Sequence, residues 1–268
     1  KDPDSPPLPI IEHADVRRML LQQKCYVEGA QVLGFHAAVL IDRAQDPDEA
    51  VRRDSGLLLE ILTPIIKAWG SDYSLKANEL AMQILGGYGY TREYPVEQNY
   101  RDNRINPIHE GTNGIQALDL LGRKAMMHDG AALKLLLREI GATCTEAAAM
   151  ATLAPLAQQL SQGMALAAAT TRAVGQRMAA GEVRLALANA SHYMTLLGHL
   201  VIGWTWLWQA LVAERALRSA SGADADFYRG KLQACRYYFA TELPLVEHVA
   251  RLVQTAEPSA YAMRPEWF

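Results

Sequence analysis

The stretch "GGYGYTREYPVEQNYRDNRINPIHEGT" runs from Gly86 to Thr112. It is a long polar connection, marked by glycine and proline, in a chain that otherwise repeats apolar residues at helical spacing. Whether it hides strands or joins helices decides the fold. No alternating run of β-branched and polar residues longer than a few positions occurs here or elsewhere, so the reading is all-α, with this segment as a loop between helices.

Working outward towards the N-terminus, 71–85 reads as a helix that stops at Gly86-Gly87, where glycine tolerates backbone angles other residues resist. Before it, Leu57, Leu58, Leu59, Ile61, Leu62, Ile65, Ile66 and Trp69 give a separate helix, capped and started by Asp46 and Pro47 and bent at Pro64. Residues 14–44 form one long helix. Inside the loop, Pro95 starts a short helix over "PVEQNYRDN", and Pro107 keeps the chain extended just before Glu110. A helix resumes over 113–127. At His128-Asp129-Gly130 the composition turns to alanine and leucine, which sets an expected boundary between a domain at 1–128 and an additional α-helical domain at 129–268. In the second unit, glycines 163, 181 and 222 divide helical stretches at 131–162, 164–180, 182–220 and 224–254, and the tail is coil.

The chain has 268 residues, half of them hydrophobic, and a net charge of −3, with Lys and Arg dispersed among acids. That size supports a sizeable core, and no basic block asks for nucleic acid. The apolar stretch "LLGHLVIGWTWLWQALVA" is short and carries His199 and Gln209, so it reads as a buried helix and not a membrane span; Trp204, Trp206 and Trp208 would serve the core or an oligomer face. Cys25, Cys144 and Cys235 are unpaired in spacing, which disfavours a disulfide framework and fits a reducing cytoplasm. His192 and His199 lie too far apart for a one-turn metal pair, and no metal site is expected. Lys1 and the linker-like "KDPDSPPLPII" suggest a piece of something longer.

Two features of the loop carry chemistry. Gly86, Gly87 and Gly89 let backbone amides approach an anion, although this turn closes a helix instead of opening one, and a plain C-cap is the simpler reading. Glu110 stands between His109 and Gly111 where a carboxylate can enter a cleft, and partial burial would raise its basicity. Equally, it would cap the helix near Thr112 or pair with Arg101 or Arg104.

The segment "MQILGGYGYTREYPVEQNYRDNRINPIHEGTNGIQALDLLGRK", residues 82–124, resembles the C-terminal helical domain of the acyl-CoA dehydrogenases. A Q-x-x-G-G-x-G turn is followed in order by Y-P-V-E, R-D-x-R-I and E-G-T, and the likeness covers roughly residues 10–128. The rest is similar to the extra α-helical domain of larger members, the 3-methylmercaptopropionyl-CoA dehydrogenase subgroup among them. The resemblance implies an FAD-dependent enzyme in which Glu110 removes the α-proton of an acyl-CoA, a β-hydride goes to FAD, and a trans-2-enoyl-CoA results. It implies that Gln83, Gly86 and Gly87 contact the FAD of a neighbouring subunit, that Thr112 lies near the flavin, and that His109 and Gly111 border the substrate. Two positions depart from the family: His109 stands for a frequent tyrosine, and Gly114 for a frequent glutamine on the adenine side. An electron-transfer flavoprotein as acceptor and a homo-oligomer are further implications. An acyl-CoA oxidase would use the same base, and the chain by itself would serve as an inactive helical association module.

Overall fold

The computed structural model describes residues 6–268, and among them every regular element is helical. Helix α1 (Ala14–Arg43) buries Met19, Cys25, Tyr26, Gly29, Leu33, Ala37 and Leu40, a stripe at spacings near three and four that faces α2. Helix α2 (Glu49–Leu85) is capped by Asp48, whose carboxylate accepts from the N–H groups of Ala50 and Val51. Asp46, the expected cap, instead accepts from the Asp48 N–H at 2.9 Å.

The helices expected on either side of Gly70 are one. Ala68, Trp69, Ser71 and Tyr73 are all buried across that point, so a single packed face runs through it, and Pro64 costs the helix a hydrogen bond without ending it. Gly86, at φ 60°, ends α2 with its N–H on the Gln83 carbonyl. A tight turn over Gly86–Tyr90 leads to α3 (Val96–Asn103), which starts after Pro95 as expected. The chain beyond is not extended: 104–112 is a run of turns.

Helix α4 (Asn113–Asp119) passes into one π turn, Leu120–Lys124, which buries Leu120 and Leu121 and turns Lys124 onto Glu60 of α2. Left-handed residues at His128, Asp129 and Gly130 follow, at the head of α5 (Met127–Ala148). The helix expected over 113–127 is therefore broken.

Beyond it come α6 (Ala154–Ala179), α7 (Val183–Leu187), α8 (Ala190–Ala216), α9 (Gly222–Thr241), α10 (Leu245–Gln254) and a four-residue α11 (Ser259–Ala262) in the tail. Gly181 and Gly222 stand at helix boundaries, but Gly163 lies inside α6. A Cβ there would sit 3.0 Å from Leu200 Cδ1, so this glycine serves the close approach of α6 and α8. Interruptions that no glycine marks are the turn before Ala154, where Pro155 opens α6, the break at Ala188–Asn189 that divides the expected 182–220 helix into α7 and α8, and Pro244 ahead of α10.

Helix α8 is the centre, packed against α1, α2, α4, α5, α6, α9 and α10. By length and composition alone it could cross a membrane, contrary to the reading of its sequence, yet 83% of its most apolar window is buried inside the protein. Trp204 and Trp206 belong to the core, while Trp208 is 40% exposed.

Candidate functional site

Glu110 borders a cleft of about 280 Å³ between α2 and the turn run. Lys67, Gly70, Ser71 and Ser74 of α2 form one wall, and Asn106, His109, Glu110, Gly111, Asn113 and Gln116 form the other. Side-chain amides stitch the two together. Asn103 Nδ2 donates to Asn78 Oδ1 at 2.8 Å and Ser74 Oγ at 3.0 Å, Asn106 Nδ2 donates to Asn103 Oδ1 at 2.6 Å, and His109 Nε2 donates to Asn106 Oδ1 at 3.0 Å. At the start of α4, Asn113 Nδ2 reaches Asp72 Oδ1, Ser71 Oγ and the Ala68 carbonyl at 2.7, 3.1 and 3.2 Å. A turn with few apolar contacts is thus fixed to a rigid helix by polar ones.

Glu110 occupies the left-handed region at φ 54°, followed by Gly111 at 80°. Only glycine enters this region without steric cost, so Glu110 is held there by its surroundings. The Pro107 carbonyl accepts from Asn113 N and Thr112 Oγ1, both at 3.1 Å, and Gln116 Nε2 donates to the carbonyls of Glu110 and Gly111. The N–H groups of Glu110, Gly111 and Thr112 find no acceptor among the described residues, which leaves three successive donors free at the turn.

The Glu110 carboxylate is two-thirds exposed and pairs with Lys67 Nζ at 3.3 Å. Arg101 and Arg104, the partners the sequence offers, lie on and just after α3; the turn run carries Glu110 back to the middle of α2 instead. Glu110 is not the helix cap either, since Thr112 holds that position. Burial of the carboxylate, expected from its place in a cleft, is not supplied by this chain.

The second sequence-predicted cluster lies elsewhere. Gln83, Gly86 and Gly87 are exposed, with nothing within 4 Å of a Cβ built on either glycine. They follow Lys67 by sixteen residues or more along α2, about 24 Å at 1.5 Å per residue. The chain therefore presents two separate surfaces: the Glu110 cleft with His109, Gly111 and Thr112, and the glycine turn with Gln83. Lys67, Asn113 and Gln116 were not singled out from sequence, because each acts through a contact that spacing alone does not reveal. No group of three or more potential metal ligands occurs among the described residues.

Comparison with known proteins covers both halves of the chain. Residues 7–126 match the family model of the acyl-CoA dehydrogenase C-terminal domain, and residues 136–264 match an acetyl-CoA dehydrogenase C-terminal-like model. A 3-methylmercaptopropionyl-CoA dehydrogenase from Ruegeria pomeroyi is 36% identical over 84% of this chain and 38% of its own length. A broad-specificity linear acyl-CoA dehydrogenase from Mycobacterium tuberculosis is 33% identical over 96% of this chain and 43% of its own. The chain spans about two fifths of the length of these curated relatives. In fold it is similar to an acyl-CoA dehydrogenase from Bacillus anthracis solved with FAD, with a TM-score of 0.72 at 19% identity, covering 94% of this chain and 44% of that one. Caenorhabditis elegans ACDH-11, solved with C11-CoA, gives a TM-score of 0.62 at 16% identity over 94% of this chain and 37% of that one. Two consecutive family models and relatives that span nearly the whole chain lead to one conclusion: the chain belongs to the acyl-CoA dehydrogenase family and carries its C-terminal helical domains.

Proposed function

We propose that this chain supplies the C-terminal part of an FAD-dependent acyl-CoA dehydrogenase, with Glu110 as the base that takes the α-proton of an acyl-CoA thioester. The observation that carries the reading is the left-handed Glu110, held at the mouth of a cleft with free backbone donors beside it. An α-proton is weakly acidic, so the base must lie close and the thioester oxygen must meet fixed donors as enolate charge develops. The Glu110 N–H is available for that oxygen. Lys67 pairs with the carboxylate at 3.3 Å from the α2 wall of the cleft. FAD, when bound, supplies the acceptor for the β-hydride.

The open turn at Gly86 and Gly87, with exposed Gln83 beside it, fits close approach of a dinucleotide, and its distance from Glu110 supports contact with the cofactor of a second subunit. Thr112 belongs to the flavin side of this reading, and Gly111 to the substrate side. His109 offers a polar ring at the cleft edge, which supports acyl chains that carry a heteroatom or branch; His109→Tyr is expected to shift preference towards plain chains, measured as kcat/KM across a thioester series. An electron-transfer flavoprotein takes the electrons, in a cytoplasmic setting that three free thiols support. The chain divides functionally near His128–Gly130, with residues 1–128 carrying the site and 129–268 the added helical unit.

The test is anaerobic addition of acyl-CoA to the full-length protein while the flavin absorbance is followed. Bleaching in the wild type that Glu110→Gln lacks supports the assignment; a mutant that bleaches equally fast, or a protein that holds no flavin, defeats it. A second reading, that the chain acts in subunit association, draws on the exposed Phe35, Val39 and Trp208 around an apolar cleft of about 610 Å³ between α1, α5 and α8.

A further inference from the structure

Glu110 and Gly111 are consecutive left-handed residues, and only the second is of a type that enters that region freely. Left to itself, Glu110 would relax to negative φ and swing its carboxylate away from the cleft. One side chain contacts the backbone of both residues. Gln116 Nε2 donates to the Glu110 carbonyl at 3.0 Å and to the Gly111 carbonyl at 3.1 Å, so its two hydrogens are matched to two acceptors. The same nitrogen would lie 3.3 Å from a Cβ at position 111, which shows how closely the amide is laid against the turn.

The anchor beneath this clamp is firm. Gln116 stands on α4, whose first residue, Asn113, is bonded through its side chain to three groups of α2. Lys67, the carboxylate's ion-pair partner, stands on that same helix. The backbone of Glu110 and its side-chain head are therefore referred to one rigid frame by two independent contacts. The clamp's chemistry is specific: asparagine is one carbon too short to reach both carbonyls, and an ionised glutamate of the same shape accepts where donation is needed.

We propose that Gln116 is the positioning residue of Glu110, holding the left-handed turn that aims the carboxylate at the substrate. The proposal rests on Glu110 being the base and deepens that reading, since the contacts of the Gln116 amide are to the backbone that carries Glu110. The experiment uses the full-length protein with Gln116→Glu and Gln116→Asn. Flavin reduction by acyl-CoA is followed by stopped flow across pH, and crystal structures read φ at Glu110. The expected result is a 10- to 100-fold slower reduction at saturating substrate, on the order of what misplacement of a reacting group costs, with the half-saturation constant and melting temperature unchanged. Glu110 moves to negative φ, and the ratio of the Gln116→Glu rate to the wild-type rate at the same pH rises as pH falls, because the introduced carboxyl regains a donor while loss of the base affects both proteins alike. Wild-type rates in both variants, or a positive φ that persists in both, would overturn the proposal. Should Glu110→Gln prove as fast as wild type, the base reading fails alone, because φ at Glu110 still decides whether Gln116 is the clamp.

Discussion

Around α8 and at the turn run 104–112, polar groups are matched by hydrogen bonds in opposite settings. His199 is fully buried on α8. The Tyr238 hydroxyl donates to the His199 carbonyl at 3.0 Å, so His199 Nδ1 donates to that hydroxyl at 3.0 Å and Nε2 accepts from the Tyr73 hydroxyl at 2.6 Å. Nearby, Tyr26 and Gln22 of α1 donate to the two oxygens of buried Glu242 at 2.9 Å each, tying α1 to the end of α9. In the turn run, similar bonds link exposed residues and hold a backbone that sterics oppose. The first region is largely closed to solvent; the second is open to it, and its shape depends on a few side chains. Fold stability belongs to the α8 region and proposed chemistry to the turn, a separation that substitutions can break or sharpen.

The largest effect is expected from Glu110→Gln, which removes the proposed base and keeps the shape. General-base catalysis contributes about 10²- to 10⁴-fold, so flavin reduction by acyl-CoA should slow by that factor, or about 3–5 kcal/mol in the barrier. The urea midpoint should stay where it was, because the side chain is exposed. A large loss of stability would show that the turn is part of the core after all.

Protonation tests the core from the other side. Burial, and secondarily the Lys76 charge, pushes His199 down to about 3, so it is neutral in the folded protein while the unfolded chain titrates near 6.5. Its folded pKa is depressed, so the stability it contributes is complete above about pH 6.5 and is lost as pH falls towards 3. At pH 4.5 that amounts to roughly 2–3 kcal/mol of destabilisation relative to neutral pH. His199→Gln keeps a donor and an acceptor but cannot titrate; the expected result is a flatter stability profile between pH 7 and 4.5. If both proteins lose stability in parallel, His199 is not the titrating group.

Gly29→Ala should cost about 1–3 kcal/mol, the usual penalty for overpacking a core. The new Cβ would lie 2.7 Å from Ile202 Cγ2 and 2.9 Å from Trp206 Nε1, which now donates to the Cys25 carbonyl. Denaturant melts should report the loss, and flavin reduction per folded molecule should be unchanged.

The same contrast explains what was legible in the sequence. Helix α1, the glycine stop after α2, the start of α3 after Pro95 and the buried character of α8 rest on local rules, on periodicity and on the chemistry of proline and glycine. Gly163 misled because a glycine serves turns and close helix approach alike, and only the partner, Leu200, distinguishes them. Pro155 and Pro244 stand at breaks that no glycine marks. Glu110 was legible as a residue in a cleft from its flanking loop, whereas its left-handed backbone, Lys67 and the Gln116 clamp were not, since none follows from spacing along one element.

Lys67→Met should give the smallest effect and sets the limit of the comparison. The pair is exposed on both sides, and such surface pairs are worth about 0.2–1 kcal/mol. Loss of the ammonium should therefore slow flavin reduction only a few-fold and leave the urea midpoint within error. The deficit should also shrink with salt, because screening shortens the reach of a charge from about 30 Å at 0.01 M to about 3 Å at 1 M. Reduction rates of wild type and Lys67→Met that converge at high salt would place Lys67 at the rim. A salt-independent deficit as deep as that of Glu110→Gln would mean that water is excluded from the pair in the working protein, and the turn would then share the buried character that now separates α8 from it.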